Sequence, residues 1–164
     1  MNAHAELIAR FYAAFARRDW AAMAACYHPE VHFSDEAFDL HGADAGNMWR
    51  MLLTNGRDLS LEFSGIEADA RTGKAHWDAR YTFSATGRKV LNRIDASFEF
   101  RDGLIVRHID RFDFWLWSRQ ALGTPGLLLG WSGFLRGKVR AKAAAGLAAF
   151  MRQVAANAKA GKAT

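Results

Sequence analysis

The chain has one cysteine, Cys26, and only two prolines among its 164 residues. A single cysteine excludes an internal disulfide and is typical of a reducing compartment. No apolar run reaches the roughly 20 residues that a membrane-spanning helix needs, and the longest stretch of glycine and apolar residues is 126–135. Because His4 and Glu6 stand where a secretory signal would place an apolar run, we expect a cytoplasmic protein.

Acidic residues are absent after Asp113, although the chain contains 17 of them. Residues 114–164 carry eight basic residues, so residues 1–113 have a net charge of −3 within the overall +5. The basic character therefore belongs to the C-terminal third of the chain. We do not expect nucleic-acid binding, because the body of the chain is acidic and the tail has no aromatic stacking platform.

The first third of the chain has helical periodicity. Apolar residues within 3–18 recur at helical spacing after a potential N-cap, Asn2. We expect a second short helix from Asp19 to Tyr27 and a third helix, capped by Asp44, that ends at 55–56.

A short strand, 31–35, precedes the third helix, and from residue 59 the apolar period becomes two. We expect long strands separated by turns at 72–73, 86–87 and 102–103, with a bulge at Gly65. Helices followed by hairpin-connected strands predict an α+β protein, in which helices cover one face of a curved antiparallel sheet.

Three polar side chains fall on the apolar side of the predicted strands. Asp35 ends the alternating series that contains Val31 and Phe33. His108 and Asp110 belong to a second alternating series, whose apolar members are Leu104, Val106, Phe112 and Phe114. Burying a carboxylate is unfavourable unless it is paired or used, so these residues are candidates for acid–base chemistry. The alternatives are a turn role for Asp35 and, for Asp110, an ion pair with His108 or Arg111.

The chain resembles the nuclear transport factor 2-like superfamily in three segments, FYAAFARRD at 11–19, YHPEVHFSD at 27–35 and FEFRDGLI at 98–105. Within it the chain is most similar to the SnoaL-like polyketide cyclase and ketosteroid isomerase branch. The resemblance implies a cone-shaped fold of N-terminal helices on a strongly curved mixed or antiparallel sheet, with a pocket between them, no cofactor and often a homodimer. It covers about 1–117, and 118–164 remain as a glycine-rich connector and a basic C-terminal helix beginning near Arg136.

By this resemblance Asp35 takes the general-base position of ketosteroid isomerases. Their oxyanion positions hold Phe11, with Tyr12 beside it, and Ala96, with Asp95 on the outer face. Steroid isomerisation by the familiar route is therefore not expected.

Asp110 takes the position of the catalytic aspartate in SnoaL-like cyclases and in limonene epoxide hydrolases. The hydrolase also needs an arginine and an aspartate on the neighbouring strand, where the inner positions here hold Trp77 and Ala79. Asp78 and Arg80 alternate with these residues and therefore have the opposite parity, on the outer face of the strand. Epoxide hydrolysis is thus the weaker candidate.

Five further residues are candidates for contacts with a small hydrophobic ligand, and packing is the alternative for each. They are Tyr12, Trp49, Trp77, Tyr81 and Asn92. No metal site is expected, since His28 and His32 share no helical face across Pro29.

Two functions follow from this reading. The first is a cofactor-independent cyclase or isomerase, in which Asp110, assisted by His108, moves a proton on a hydrophobic carbonyl-bearing ring compound and Asp35 is a second base or an orienting group. The second is a non-catalytic binding or dimerisation module. The tail is expected to pack on the domain or on a second subunit, and residues 126–162 could instead contact an anionic membrane surface.

Overall fold

A computed structural model describes residues 2–162 of the chain. It contains six helices and six strands among these residues. The helices are α1 (Ala3–Ala16), α2 (Trp20–Ala24), α3 (Ala43–Asn55), α4 (Phe114–Leu122), α5 (Thr124–Leu129) and α6 (Gly133–Ala160). The strands are β1 (Tyr27–Ser34), β2 (Asp39–His41), β3 (Ser60–Ala68), β4 (Thr72–Phe83), β5 (Arg88–Arg101) and β6 (Leu104–Arg111).

The strands form one open, curved sheet in the order β2-β1-β6-β5-β4-β3. Only the pairing of β1 with β6 is parallel among the strand pairs of residues 2–162. The α+β class and the mixed sheet predicted from the sequence are confirmed.

Side-chain caps define the starts of the first two helices as predicted. The Asn2 side chain accepts a hydrogen bond from the backbone N–H of Ala5, and Asp19 accepts one from Ala22. Two other expectations are wrong. Gly42, with φ of +60°, precedes α3 in place of Asp44, and Tyr27 begins β1 instead of ending α2.

The predicted bulge at Gly65 and the hairpin turn at Asp102-Gly103 are confirmed. Gly65 has φ of +63° at a register shift between β3 and β4. Asp102 and Gly103 both have positive φ, as a two-residue type I′ turn requires.

The strands differ from the prediction in three places. The turn expected at 72–73 lies at 69–71, where the Asp69 carboxylate accepts backbone hydrogen bonds from Arg71 and Thr72. Residues 39–41 form β2 instead of a loop. A register shift in the pairing of β5 with β6 puts Ile105 in the core in place of Leu104 and Val106, whereas His108 and Asp110 keep the predicted inward face.

Aromatic side chains fill the space between α1, α3 and the concave face of the sheet. The largest of them each have at most 2% of their surface exposed, and these are Trp49, Tyr12, Phe11, Phe15, Phe33 and Phe98. His108 has no exposed surface and packs edge-on against Phe11 and Phe33. The interior that surrounds the candidate residues is therefore almost entirely apolar.

The segment expected to be a glycine-rich connector is helical. In α5, a Cβ atom at Gly126 would overlap the Ser118 carbonyl of α4, so glycine permits this close approach. Gly130 likewise packs on the fully buried Ser118 side chain. These contacts join α4 and α5 into one compact unit.

Helix α6 packs on the body of the protein through one stripe of apolar residues. Val139 contacts a small cluster formed by α4 and β5, and the stripe continues toward the main core. The stripe consists of Val139, Ala143, Leu147, Phe150 and Met151. None of the helices within residues 2–162 is both long and apolar enough to cross a bilayer.

Leu147 is the member of this stripe that is buried, with 6% of its surface exposed. We expect Leu147→Ala to lower the free energy of unfolding by about 2–5 kcal/mol through lost burial and a residual cavity. Urea unfolding would measure this change. The matched control is Leu128→Ala on α5, where the leucine is 62% exposed, and its effect should stay within about 0.5 kcal/mol. Equal effects of the two changes would contradict the packing of α6 on the core.

Candidate functional site

The candidate residues meet at one edge of the sheet because β1 and β6 run parallel. Asp35 directly follows β1, and Asp110 is the second-last residue of β6. Both carboxylates therefore lie at the edge of the sheet where the carboxyl ends of β1 and β6 meet. Strand β5 runs antiparallel to β6 and begins at that edge, which brings in Asn92. Tyr81 arrives from the end of β4, opposite Val90.

A chain of hydrogen bonds crosses the buried core and ends on Asp110. The Trp49 Nε1–H donates to the Tyr27 hydroxyl at 2.8 Å, and the Tyr27 oxygen lies 2.8 Å from Nδ1 of His108. Nε2 of His108 lies 2.9 Å from Oδ1 of Asp110. Trp77 Nε1–H, at 3.4 Å, is a second donor to the same oxygen.

Donor and acceptor pairing assigns the tautomer of His108. The Tyr27 oxygen already accepts from Trp49, so its own hydrogen is free to donate to Nδ1 of His108. Nε2 then carries the imidazole hydrogen and donates it to the Asp110 carboxylate. In this arrangement each hydrogen bond of the chain has one donor and one acceptor.

Asp110 keeps one oxygen unused. Both of its hydrogen bonds within residues 2–162 end on Oδ1, which leaves Oδ2 without a donor there. Only 3% of the Asp110 surface is exposed. A fixed carboxylate with a free lone pair in an apolar interior is suited to accept a proton from a bound molecule.

Tyr12 supplies a second unused polar group. Its hydroxyl is buried and has no hydrogen-bond partner among the described residues. Burial raises the pKa of Tyr12 well above its usual value, and the nearby Asp110 charge raises it further. The hydroxyl therefore stays protonated and is available as a donor.

Asn92 is a further buried polar side chain on the inner face of β5. The residue opposite Asn92 on β4 is Ala79, and the residue opposite Asp110 on β5 is Ala96. Both alanines are buried.

Asp35 is half-buried at the same edge of the sheet. Its Oδ1 accepts backbone hydrogen bonds from Ala37 at 2.7 Å and Phe38 at 2.6 Å, which is the turn role considered for it. Burial nevertheless raises the pKa of Asp35 to about 7, against the effect of these two bonds, and the Asp110 charge adds to the rise. The carboxyl group thus changes protonation near neutral pH.

Tyr81 is tied to the C-terminal helices. Its hydroxyl accepts a hydrogen bond of 2.7 Å from Nε1 of Trp117 in α4. Burial raises the pKa of Tyr81 to about 12, which keeps the phenol protonated at neutral pH. On α6, the Arg140 guanidinium lies 3.5 Å from the backbone oxygen of Asp35, so α4 and α6 cover this edge of the sheet.

Two surface depressions lie away from the candidate residues. A groove of about 620 Å³ separates α3 from α6 and is lined by Arg50, Arg57 and Phe150 among others. A depression of about 140 Å³ lies near Gly73 and Arg107. Asp35, His108 and Asp110 line neither of them.

The predicted site residues thus divide into two groups. Asp35, Tyr81 and Asp110 lie near one another at the covered edge, and Tyr12 is close enough for its pKa to respond to the Asp110 charge. Asn92 lies farther along the inner face of β5, and His108 bonds to Asp110. Trp49 and Trp77 instead donate their indole N–H groups into the buried hydrogen-bond chain.

The outer face of the sheet carries the polar residues of opposite parity, as expected. Asp78 and Asp95 both bond to His76, at 3.0 Å and 2.8 Å, and Arg80 lies near Glu62. The arginine and second aspartate of an epoxide hydrolase are therefore not assembled from these residues beside Asp110.

Sequence reasoning missed Tyr27 and Trp117. Tyr27 has the same parity as Val31 and Phe33, and this alternation was the available signal for its inward position in β1. Trp117 gave no signal, because its contact with Tyr81 depends on how α4 folds back over the sheet.

One group of potential metal ligands exists among the described residues, and the sequence analysis did not anticipate it. The pairing of β1 with β2 places His32 opposite His41, and the ligand atoms of these histidines and Asp39 lie within 4.8 Å of one another. The group is on the outer surface, and the positive charge of Arg140 acts on the Asp39 carboxylate. That charge opposes cation binding, so we assign no metal here.

The sequence model of the SnoaL-like domain matches residues 8–108 of the chain. The chain belongs to the SnoaL-like domain family. The resemblance inferred from the three sequence segments is thereby confirmed. No curated protein sequence gives a significant match.

Solved structures of similar fold include two with different assigned activities. A candidate polyketide cyclase from Pseudomonas putida KT2440 has 21% identity and a TM-score of 0.62, over 74% of this chain and 98% of that one. An LEH-like epoxide hydrolase from M. tuberculosis has 18% identity and a TM-score of 0.60, over 77% of this chain and 92% of that one. An NTF2-like protein of unknown function from Burkholderia pseudomallei K96243 has 20% identity and a TM-score of 0.60, over 69% of this chain and 92% of that one. At these identities the likeness establishes the SnoaL-like fold and not the reaction.

The raised pKa of Asp35 predicts a specific pH dependence of stability. The folded state favours the protonated carboxyl, so this contribution is fully present below the ordinary aspartate pKa of about 4 and is lost as the pH rises to about 7. We expect the melting temperature of Asp35→Asn to rise relative to the unsubstituted protein across this interval, because asparagine stays neutral. Calorimetry between the two pH values would measure the difference.

Asp58→Asn is the control for this experiment. The Thr82 hydroxyl lowers the pKa of Asp58 by a hydrogen bond, so this carboxylate is ionised throughout the same interval. Its difference from the unsubstituted protein should be flat there. A flat difference for Asp35→Asn as well would show that Asp35 titrates normally.

Proposed function

We propose that this SnoaL-like protein is a cofactor-independent enzyme of the cyclase or isomerase type. It transfers a proton on a small hydrophobic ring compound that bears a carbonyl group. The observation that carries the proposal is the buried hydroxyl of Tyr12, which has no hydrogen-bond partner among the described residues and whose pKa responds to the nearby Asp110 charge. Asp110 is itself buried, and its hydrogen bonds to described residues use only Oδ1.

The surroundings support a ligand that is mostly apolar. Phe98, Trp77 and Ile94 line the inner face of β4 and β5 beside the polar groups, and each is buried. Binding sites for small molecules usually combine such walls with a few oriented polar groups. A carbonyl oxygen would satisfy the Tyr12 hydroxyl, and no charge on the ligand is needed.

Asp110 is the proposed base. Its Oδ2 removes a proton from the carbon next to the carbonyl group, and the electron pair of the C–H bond moves into the enolate. Tyr12 donates a hydrogen bond to the oxygen on which negative charge develops. The carboxyl group of Asp110 then returns the proton to another carbon of the same compound, so the reaction needs no redox partner.

His108 and Tyr27 act as positioning residues. The hydrogen bond from Nε2 of His108 fixes the Asp110 carboxylate, and the Tyr27 hydroxyl fixes the imidazole in turn. This arrangement fixes Oδ1 and leaves Oδ2 without a donor among the described residues. Fixed geometry of this kind lowers the entropy that must be lost in the transition state.

Asp35 is proposed as the second proton-transfer group. It is the half-buried member of the set, and its pKa of about 7 allows both protonation states near neutral pH. It can therefore exchange a proton between the closed interior and solvent.

Exchange of ketone protons for deuterium tests this mechanism without knowledge of the natural substrate. Indanone and tetralone serve as bicyclic probes, and proton NMR in deuterated water follows loss of the signal next to the carbonyl. We expect the protein to accelerate exchange and Asp110→Asn to reduce the acceleration about 100-fold or more. Tyr12→Phe should reduce it about 100-fold by loss of the oxyanion donor.

Asp95→Asn is the matched control for that assay. Asp95 neighbours Ala96 on β5 but faces outward, where it bonds to His76. Its substitution should leave exchange unchanged. Equal losses for Asp95→Asn and Asp110→Asn would mean that the substitutions act through folding, and the catalytic proposal would then fail.

The second candidate is a non-catalytic module that binds the same class of compound. The observation that favours it is that the oxyanion positions of ketosteroid isomerases hold Phe11 and Ala96 in this chain. Saturable binding of the probes, seen as a change in tryptophan fluorescence, without any accelerated exchange would support the module. Homodimerisation through the outer face of the sheet stays a prediction.

Thermal stability of Asp110→Asn separates a functional carboxylate from a structural one. Asparagine can still accept hydrogen bonds from His108 and Trp77, and it removes a buried charge. We therefore expect the melting temperature to stay the same or to rise, as is common when a group retained for function is replaced. A large fall, measured by calorimetry at neutral pH, would assign Asp110 to folding.

A further inference from the structure

Most of the exposed large apolar side chains among residues 2–162 lie on α5 and the segments beside it. Its members include Trp131, Phe134 and Leu128, which are 76%, 66% and 62% exposed. We call this surface the α5 face. It consists of Trp115, Leu127, Leu128, Leu129, Trp131 and Phe134. Monomeric proteins rarely expose so many large apolar side chains together without a partner.

The α5 face is built on a close-packed base. Gly126 and Gly130 lie against Ser118, and this approach leaves no room for a Cβ atom at either position. The indole N–H of Trp131 donates to the Leu128 carbonyl at 2.8 Å, and that of Trp115 donates to Leu127 at 3.2 Å. Both indoles have thus satisfied their polar group within the protein, and what they present outward is apolar.

Two basic side chains lie against the α5 face, and its nearest acidic residue in the sequence, Asp113, caps the start of α4. The Arg119 guanidinium lies 4.7 Å from the ring centre of Trp115, and the Lys138 ammonium lies 4.9 Å from that of Phe134. Residues 114–164 contain no acidic residue at all. Glu36 reaches this region from the body and is already ion-paired with Arg136.

We propose that the α5 face attaches the protein to the surface of an anionic lipid bilayer. Leucine and tryptophan side chains enter the boundary between headgroups and acyl chains, and the flanking arginine and lysine contact lipid phosphates. The attachment is peripheral, since the described helices include none that could span a bilayer.

A second copy of the chain fits this surface less well. A twofold symmetric contact pairs a surface with itself. Two α5 faces would therefore bring two sets of arginine and lysine together with no acidic residue of 114–164 between them. An anionic bilayer supplies the opposite charge and an apolar layer at the same place.

Helix α6 has a different role in this proposal. Its apolar stripe, which includes Leu147, faces the core of the protein and is not available to lipid. The membrane contact is therefore confined to about residues 115–138, a shorter segment than the 126–162 considered from the sequence.

Co-flotation with vesicles tests the proposal on the full chain. We expect the protein to float with vesicles of phosphatidylcholine and phosphatidylglycerol, with a blue shift of tryptophan emission, and to bind pure phosphatidylcholine at least about tenfold more weakly. Leu128→Ser combined with Trp131→Ser should abolish flotation. Arg119→Gln combined with Lys138→Gln should weaken it about tenfold and reduce its dependence on salt.

Lys74→Gln combined with Arg93→Gln is the matched control. Both residues are basic and exposed on the sheet, away from α5, and their substitution should leave flotation unchanged. Equal weakening by this pair would mean that overall charge alone governs binding, and it would overturn the assignment to the α5 face. Calorimetry on each variant confirms that it is folded.

Two other results would also overturn the proposal. The first is absence of flotation by the folded protein with the anionic vesicles. The second is a concentration-dependent dimer, detected by sedimentation, that Leu128→Ser with Trp131→Ser dissociates while vesicles bind neither form. That outcome would make the α5 face a contact between copies of the chain.

Discussion

The parallel pairing of β1 with β6 is the constraint on which the site depends. These strands are 70 residues or more apart in the sequence, and all other strand pairs of residues 2–162 are antiparallel. If β1 ran the other way, Asp35 would lie at the far end of the sheet from Asp110. Because it runs parallel, Phe33 is placed opposite His108, and Tyr27 comes within hydrogen-bonding distance of the same imidazole.

Much of the fold could be predicted because local chemistry determines it. The side chains of Asn2 and Asp19 cap their helices, and Asp102-Gly103 has the backbone freedom that a two-residue hairpin requires. Alternation also gave the correct inward face for His108 and Asp110. Errors arose where a longer-range contact decides the outcome. A register shift between β5 and β6 moved Ile105 into the core, and Tyr27 joined a strand because β6 offered a partner.

The candidate site could be predicted only in part for the same reason. Parity shows that Asp110 faces inward, but it does not show that His108, two residues away, turns its ring to meet it at 2.9 Å. That contact requires Phe98 and Phe33 on both neighbouring strands to hold the ring. Nor does the sequence show which polar groups lack partners. The unused hydroxyl of Tyr12 becomes visible only once all surrounding side chains are placed.

Helix α4 connects the covered edge of the sheet with the α5 segment. One of its residues, Trp117, bonds to Tyr81 at the covered edge of the sheet, and another, Ser118, is the base on which Gly126 and Gly130 of the α5 segment rest. No Cβ atom fits between Ser118 and either glycine, so α4 and the α5 segment are in direct contact. Two adjacent residues of α4, Trp117 and Ser118, therefore join the α5 segment to the phenol of Tyr81.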